Sequence, residues 1–208
     1  MLQLVKFIMV VTMMAEIPGL QYYLFALLVL LLGSIFYNLK QKFALKKRDA
    51  SETALVKEAY FNPITELPNK KNLDIIVEEQ IHRVHRRAQS FLIAVIRIKN
   101  YNEVNLRSKT LGDEFMTEAG SKLVDVVRDE DLVAHISESN FVLLFNEHLE
   151  EENYDIIFDR VKLIFKDKYQ VDEKKTLEYK IGIGKSVYPN DGTDSETLII
   201  EATNKALR

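Results

Sequence analysis

Two apolar runs, Leu132-Val133-Ala134-His135-Ile136 and Phe141-Val142-Leu143-Leu144-Phe145, enclose a polar tip of four residues, Ser137-Glu138-Ser139-Asn140. Runs this short, rich in β-branched and aromatic side chains, predict two buried strands joined by a hairpin turn. A tip fed by two buried strands holds its side chains rigidly, which is what a reaction centre needs. This tip carries a single charge, Glu138.

The rest of the C-terminal part supplies what such a hairpin packs against. Residues 91–98, FLIAVIRI, form a near-continuous apolar run and predict a central strand covered on both faces. Leu73, Ile76 or Val77, Ile81 and Val84 make one apolar helical stripe, and Asn69 is placed to cap that helix. Phe115, Ala119, Leu123 and Val126 or Val127 mark a second helix, and Ile157, Val161, Ile164 and Phe165 a third, over roughly 150–168. A strand over 176–184, a turn over 188–192 and a last helix capped by Asp194 complete the pattern. Strands interspersed with helices predict an α+β fold, a central sheet flanked by helices.

The N-terminal part reads differently. Residues 20–39 contain no charged side chain and are dominated by Leu, Phe and Tyr. As a helix they would span about 30 Å, the thickness of the hydrocarbon core of a bilayer. Tyr22, Tyr23 and Tyr37 lie near the ends, where aromatic belts form. Residues 20–39 are therefore expected to span the membrane. Residues 1–15 are apolar but short and contain Lys6, and a Glu16-Ile17-Pro18-Gly19 break follows them. They fit either the first arm of a helical hairpin, the favoured arrangement, or a segment lying along the interface, and a cleaved signal peptide is disfavoured because no small-x-small site precedes Glu16. Lys40, Lys42, Lys46, Lys47 and Arg48 contribute +5, leaving −8 for the remainder of a chain whose net charge is −3. Under the positive-inside rule that cluster places residues 40 onward in the cytoplasm, at the inner membrane. Residues 40–60 then serve as a basic juxtamembrane segment and helical linker, and 61–208 as the globular domain. An acidic domain argues against a nucleic-acid partner. The absence of cysteine excludes disulfide and thiol chemistry.

Several motifs of the domain agree in order and spacing with one family. Phe61-Asn62-Pro63-Ile64-Thr65-Glu66-Leu67-Pro68-Asn69-Lys70 resembles the entry motif Asp-x-Leu-Thr-Gly-Leu-Pro-Asn-Arg of GGDEF domains, with Asn62, Glu66 and Lys70 in place of Asp, Gly and Arg. The 132–145 stretch resembles their signature hairpin, and Tyr179-Lys180-Ile181-Gly182-Ile183-Gly184, Tyr188-Pro189 and Lys205-Ala206-Leu207 match further motifs. The resemblance covers 61–208 and implies a GGDEF-type fold with a mixed or antiparallel sheet. In that family two GTP molecules are condensed to cyclic di-GMP with magnesium held on carboxylates.

On that resemblance Ser137 and Glu138 stand for the two glycines, Ser139 and Asn140 for the two acids, and Phe141 alone matches. Arg97 stands where a metal-binding aspartate opens the Asp-Ile-Asp-x-Phe-Lys run, and Asn102 replaces a phosphate-contacting lysine. Exchanging Asp for Arg moves the site by two charge units, and each lost acid moves it by one more. No metal and no cofactor are expected. The sequence ends at Arg208, where the family's tail would supply two further cations. Gly112-Asp113-Glu114-Phe115 spells four letters of the signature, but it follows Arg97 too closely, and Ser137 has the hairpin spacing.

Asn105 and Asp113 occupy the positions that read guanine in the family, but a loop hydrogen bond for Asn105 and helix capping and turn chemistry for Asp113 are the favoured explanation. His82 and His85 share a helix face without a third ligand, so they are expected to be solvated. His135 lies just before the hairpin tip, and His148 near a helix start. Arg128-Asp129-Glu130-Asp131 retains the family's inhibitory Arg-x-x-Asp site, which binds cyclic di-GMP. A guanidinium fork matches both purine acceptors and phosphate oxygens, while a charged pair at a helix end explains the same residues. Three functions follow as expectations. The first is a catalytically inactive, membrane-anchored receptor binding cyclic di-GMP through Arg128 and Asp131, possible as a homodimer. The second is a ligand-free scaffold for a protein partner, and the least favoured is a cyclase of altered specificity.

Overall fold

The computed structural model describes residues 5, 6, 9, 19, 30–42, 55–87, 89–145 and 151–207. Residues 1–55 and 56–208 form separate compact units. In the first, residues 30–42 are helical, and Leu31, Ile35, Phe36 and Tyr37 are exposed. Residues 20–29 of the expected span, most of the 1–15 arm and 43–54 of the linker lie outside the described residues. No helix among the described residues is long and apolar enough to cross a membrane.

The second unit begins with helical residues 56–60 and an entry loop that leads into α1 (Lys70–His85). Asn69 caps α1 as expected, its Oδ1 accepting from Asn72 N at 3.1 Å. Then follow β1 (Phe91–Ile98), α2 (Tyr101–Arg107), α3 (Lys109–Val126), β2 (Leu132–Ser137) and β3 (Asn140–Phe145). After them come α4 (Glu151–Ile164), β4 (Tyr169–Asp172), β5 (Lys175–Leu177), β6 (Ile181–Tyr188) and α5 (Ser195–Leu207). Asp194 caps α5, its Oδ1 accepting from Thr197 N at 2.9 Å.

The main sheet runs β2-β3-β1-β6, each neighbouring pair antiparallel, so the mixed alternative drops out. With helices after β1 and β3 this is a split β-α-β arrangement. Period-two alternation in β1 sends side chains to both faces, and both are covered, as the unbroken apolar run predicts. Leu92, Ala94, Ile96 and Ile98 join a core with Phe115, Leu123 and Tyr179. Phe91, Ile93 and Val95 join another core with Leu73, Val77, Leu198 and Ala202. Each fully buried large apolar side chain contributes roughly 1.5–3 kcal/mol, so β1 anchors the domain.

Three details depart from the expected elements. Helix formation after β1 is broken at Ser108, whose extended backbone ends α2 and whose Oγ caps α3 by accepting from Leu111 N at 3.4 Å. The expected strand over 176–184 is two strands, because β5 turns back on β4 as a separate two-stranded sheet before β6 begins. Glu66, standing for the glycine of the entry motif, has φ +58°, a left-handed backbone that L side chains adopt at a cost of roughly 1–2 kcal/mol. The loop holds it there through Glu66 N donating to Asn62 O at 2.9 Å and Asn62 N donating to Leu67 O at 2.7 Å.

Candidate functional site

The hairpin tip and the end of β1 meet as their spacing implies. Arg97 faces Asn140 across the β1–β3 ladder, and Ile98 N donates to Ser139 O at 2.8 Å. Ser137 and Glu138 are exposed, whereas Arg97, Ser139 and Asn140 are half-buried. Directly opposite residues in an antiparallel pair point to the same face, so the Arg97 and Asn140 side chains are neighbours. At the positions that stand for the family's metal-binding acids, Arg97, Ser139 and Asn140 offer a guanidinium, a hydroxyl and an amide, and the one carboxylate of the tip, Glu138, is exposed. Magnesium demands hard oxygen donors, usually with one or two carboxylates, and a guanidinium excludes it by charge. Among the described residues no three His, Cys, Asp or Glu side chains are grouped to hold a metal ion. The donor set does not fit magnesium.

Gly112-Asp113-Glu114-Phe115 lies wholly inside α3, and Phe115 is fully buried in the core. Asp113 therefore does not cap the helix, the role that Ser108 fills. Gly112 brings α3 against Asn105: a Cβ there would come within 2.8 Å of Asn105 Oδ1. Asn105 Oδ1 and Asp113 Oδ1 are both buried atoms without a hydrogen-bond partner among the described residues, as is Asn140 Oδ1. Buried acceptors left unpaired cost about 1–3 kcal/mol each, so such atoms mark places where a donor would be welcome. The Tyr101 hydroxyl is pushed up by burial and then by the Asp113 and Glu138 charges. The start of α3 and the hairpin tip thus act electrostatically on one point. Beside Asp113 a cleft of about 650 Å³ opens between the entry loop and α3, lined by Ile64, Glu114, Glu118 and Tyr169 among others. Tyr169 Oη donates to Glu114 Oε2 there at 3.2 Å.

Arg128 and Asp131 lie in the turn between α3 and β2, held by Asp131 N donating to Arg128 O at 3.0 Å and Arg128 N donating to Asp131 Oδ2 at 3.4 Å. Arg128 is exposed and Asp131 half-buried. The Arg128 guanidinium lies 3.7 Å from Glu130 Oε1. The site is thus preformed in backbone, and its aspartate is engaged with its own turn.

Two polar residues that the sequence leaves unremarked or unexplained organise this end of the domain. Asn100, buried, donates Nδ2 to Glu178 O at 2.8 Å and accepts on Oδ1 from Lys180 N at 3.0 Å, tying β1's end to the approach to β6. No local signal could reveal a partner 78 residues away. His135, only 1% exposed, stacks on Phe141 with ring centroids 4.5 Å apart, and its Nδ1 lies 3.1 Å from Thr65 Oγ1. Its backbone N donates to Pro68 O at 2.9 Å, so one residue joins the sheet edge to the entry loop. His85 is not simply solvated, since its Nδ1 lies 3.3 Å from Tyr188 Oη. His148 lies outside the described residues.

Burial lowers the His135 imidazole from 6.5 to about 4. The unfolded chain then binds the proton more readily, so this contribution to stability is full above pH 6.5 and is lost as pH falls toward 4. The shift corresponds to about 3 kcal/mol. Urea unfolding followed by circular dichroism between pH 7 and pH 4 should show this loss, and His135→Leu should flatten it. A wild-type slope unchanged by the substitution would assign the acid sensitivity elsewhere.

The family model described as diguanylate cyclase, GGDEF domain, matches residues 59–208. The chain is 26% identical over 149 residues to the bifunctional diguanylate cyclase/cyclic di-GMP phosphodiesterase MucR of Pseudomonas aeruginosa, covering 71% of this chain and 22% of MucR. It is 21% identical over 158 residues to the signaling protein YkoW of Bacillus subtilis, covering 75% of this chain and 20% of YkoW. The chain thus spans about a fifth of the curated relatives it matches. Among solved structures, a sensory box/GGDEF family protein of Caulobacter crescentus superposes with TM-score 0.65 at 20% identity, covering 72% of this chain and 96% of that one. The coiled coil and GGDEF domain of Caulobacter crescentus DgcB, solved with c-di-GMP, superposes with TM-score 0.65 at 14% identity, covering 82% and 91%. Pseudomonas aeruginosa SiaD, solved with its activator SiaC, superposes with TM-score 0.64 at 18% identity, covering 99% and 80%.

Proposed function

The chain belongs to the GGDEF family, and from that premise we propose a catalytically inactive signalling member that binds cyclic di-GMP through Arg128 and Asp131. Inactivity rests on one observation above the others: Arg97 and Asn140 face each other where the family holds its metal on acids. Support for the receptor reading is the Arg128–Asp131 turn, which sets both side chains at the domain surface without further folding. The ion pair to Glu130 is solvent-exposed and worth at most about 1 kcal/mol, so a ligand phosphate can displace it. DgcB, with c-di-GMP in its structure, shares the fold.

Titration of the full chain with cyclic di-GMP tests this. Arg128→Ala should weaken binding roughly tenfold or more, the loss of one or two charge-assisted hydrogen bonds. Asp131→Ala should weaken it through the ligand's guanine edge. No binding at tens of micromolar ligand, or equal binding by Arg128→Ala, would replace this reading with the protein scaffold. The Arg128–Glu130 pair favours that second reading, because it already neutralises the guanidinium, and SiaD was solved with a protein activator.

Membrane anchoring belongs to the same proposal, supported by the uncharged run over 20–39 and the five cations that follow it. A periplasmic phosphatase fused after Arg208 should be inactive and a fluorescent protein that folds only in the cytoplasm should be bright. The reverse pattern would overturn the orientation.

A further inference from the structure

We propose that the outer edge of β6 is an interface between two copies of this chain, which join their main sheets antiparallel across a two-fold axis at Ile183. β6 is the last strand of that sheet and pairs on one side only, with β1. In an antiparallel ladder the backbone groups of successive residues point alternately toward and away from the neighbouring strand. Lys180 O accepts from Lys99 N at 2.6 Å and Lys180 N donates to Asn100 Oδ1 at 3.0 Å, so residue 180 faces the β1 side. By the same alternation Ile181, Ile183, Lys185 and Val187 turn their N–H and C=O groups outward. The bond from Ile98 N to Ser139 O gives the same phase, because it turns Ile98, the partner of Ile181, toward β3. Val187 is already served: its N donates to Asp191 Oδ2 at 2.8 Å, and its O accepts from Asp191 N at 2.8 Å. Among the described residues no such partner serves the outward groups of Ile181, Ile183 and Lys185. An edge of this kind is a template for another strand.

What points to a second copy is that this edge is complementary to itself. Rotation about an axis through Ile183 sets Ile183 against Ile183 and Ile181 against Lys185, so all the unserved backbone groups find partners. The register keeps the two Lys185 side chains apart, where a direct like-charge pair would be destabilising. α4 adds the side-chain match. It runs antiparallel to β6, since Lys185 Nζ lies 5.0 Å from the centre of the Tyr154 ring while the Phe165 and Tyr179 ring centroids are 5.1 Å apart. Between those two contacts Ile183 falls level with Phe158. The two line one groove of about 230 Å³, together with Asp155, Lys162 and Lys185. The two-fold axis therefore brings Asp155, one turn before Phe158, beside Lys162 of the second copy, one turn after it. Asp155 makes no ion pair among the described residues. Lys162 is paired with exposed Asp159 at 3.0 Å, a contact cheap to exchange. One structural role competes for Lys185, because a lone lysine guards an edge strand against such pairing. Here it folds over the Tyr154 ring instead.

The interface stands apart from ligand binding at Arg128, and a chain without cysteine allows a direct test. Residues opposed in a hydrogen-bonded antiparallel pair have Cα atoms about 5.5 Å apart, within disulfide reach. Ile183→Cys, made in the full chain and oxidised mildly in detergent, should therefore form a covalent dimer. Leu106→Cys on α2, at a site 88% exposed, is the collisional control. It should cross-link about tenfold more slowly, because only residue 183 is held against its own copy. The charges are then exchanged in the Ile183→Cys background, at two exposed positions that leave the core untouched. Asp155→Lys sets like charges against Lys162, and Lys162→Asp sets them against Asp155, so each protein alone should cross-link several-fold more slowly. Mixed together they are complementary at both ends of the seam and should form a heterodimer faster than either homodimer. Cross-linking at 183 no faster than at 106 would overturn the proposal and leave the edge to a strand of another protein. A mixture that cross-links no faster than its separate components would overturn it as well.

Discussion

Incubated with GTP and either magnesium or manganese, the full chain is expected to produce no cyclic di-GMP. Phosphoryl-group chemistry of this kind relies on metal ions to neutralise the triphosphate and position its oxygens. The relevant strand end presents Arg97 opposite Asn140, with Ser139 bonded through its carbonyl to Ile98 N. Bringing a divalent ion beside a guanidinium costs several kcal/mol at an effective dielectric near 20, instead of gaining a similar amount from a carboxylate. Each 1.36 kcal/mol is about a factor of ten in rate, so losses of this size put turnover below detection. Product chromatography against an active GGDEF cyclase decides the matter. Magnesium-dependent cyclic di-GMP above a heat-inactivated control would sink the reading, and the altered-specificity cyclase would have to be taken up again.

The parts of the domain that are legible in sequence are those whose cause is local. FLIAVIRI could only be a strand covered on both faces, and it is the centre of the main sheet. Asn69 and Asp194 cap helices because their oxygens reach backbone N–H groups three residues on. That Arg97 and Asn140 share one site was legible only through the family resemblance, because β1 is apolar on both faces and its pattern does not fix the register in which they face each other. What escapes is non-local. The β4–β5 ribbon is built from four- and three-residue strands with charged residues around it, too short for a period to show. Ser108 breaks α2 from α3 with neither proline nor glycine to mark the boundary. Asn100 reads as one more polar residue in Lys-Asn-Tyr-Asn, and its importance lies in two backbone groups about eighty residues on, in the segment leading into β6. His135 reads as a polar interruption of a strand, and only the tertiary fold shows it stacked and desolvated.

Gly184→Ala is expected to remove about 3–4 kcal/mol of stability, far more than one methyl group ordinarily costs in a core. Glycine inside a strand marks a bulge or a close backbone approach, and here it is the approach of α5. A Cβ on Gly184 would collide with the carbonyl oxygen of Ala202 and the backbone N of Ala206. Both are backbone atoms of one helix, so no side-chain rotamer change relieves the overlap. The helix must lift from the sheet, and Leu198, Ile199, Ala202 and Ala206 lose contact with the β1 and β6 side chains they cover. Small domains are stable by only about 5–15 kcal/mol, so a displaced α5 leaves little margin. Ser186→Ala is the matched control two residues along the same strand. Its hydroxyl is fully buried and has no partner among the described residues, so removing it should be neutral or stabilising. Urea unfolding of the three proteins separates the cases. Gly184→Ala within 1 kcal/mol of wild type would mean that α5 rides on the sheet with more clearance than these contacts allow.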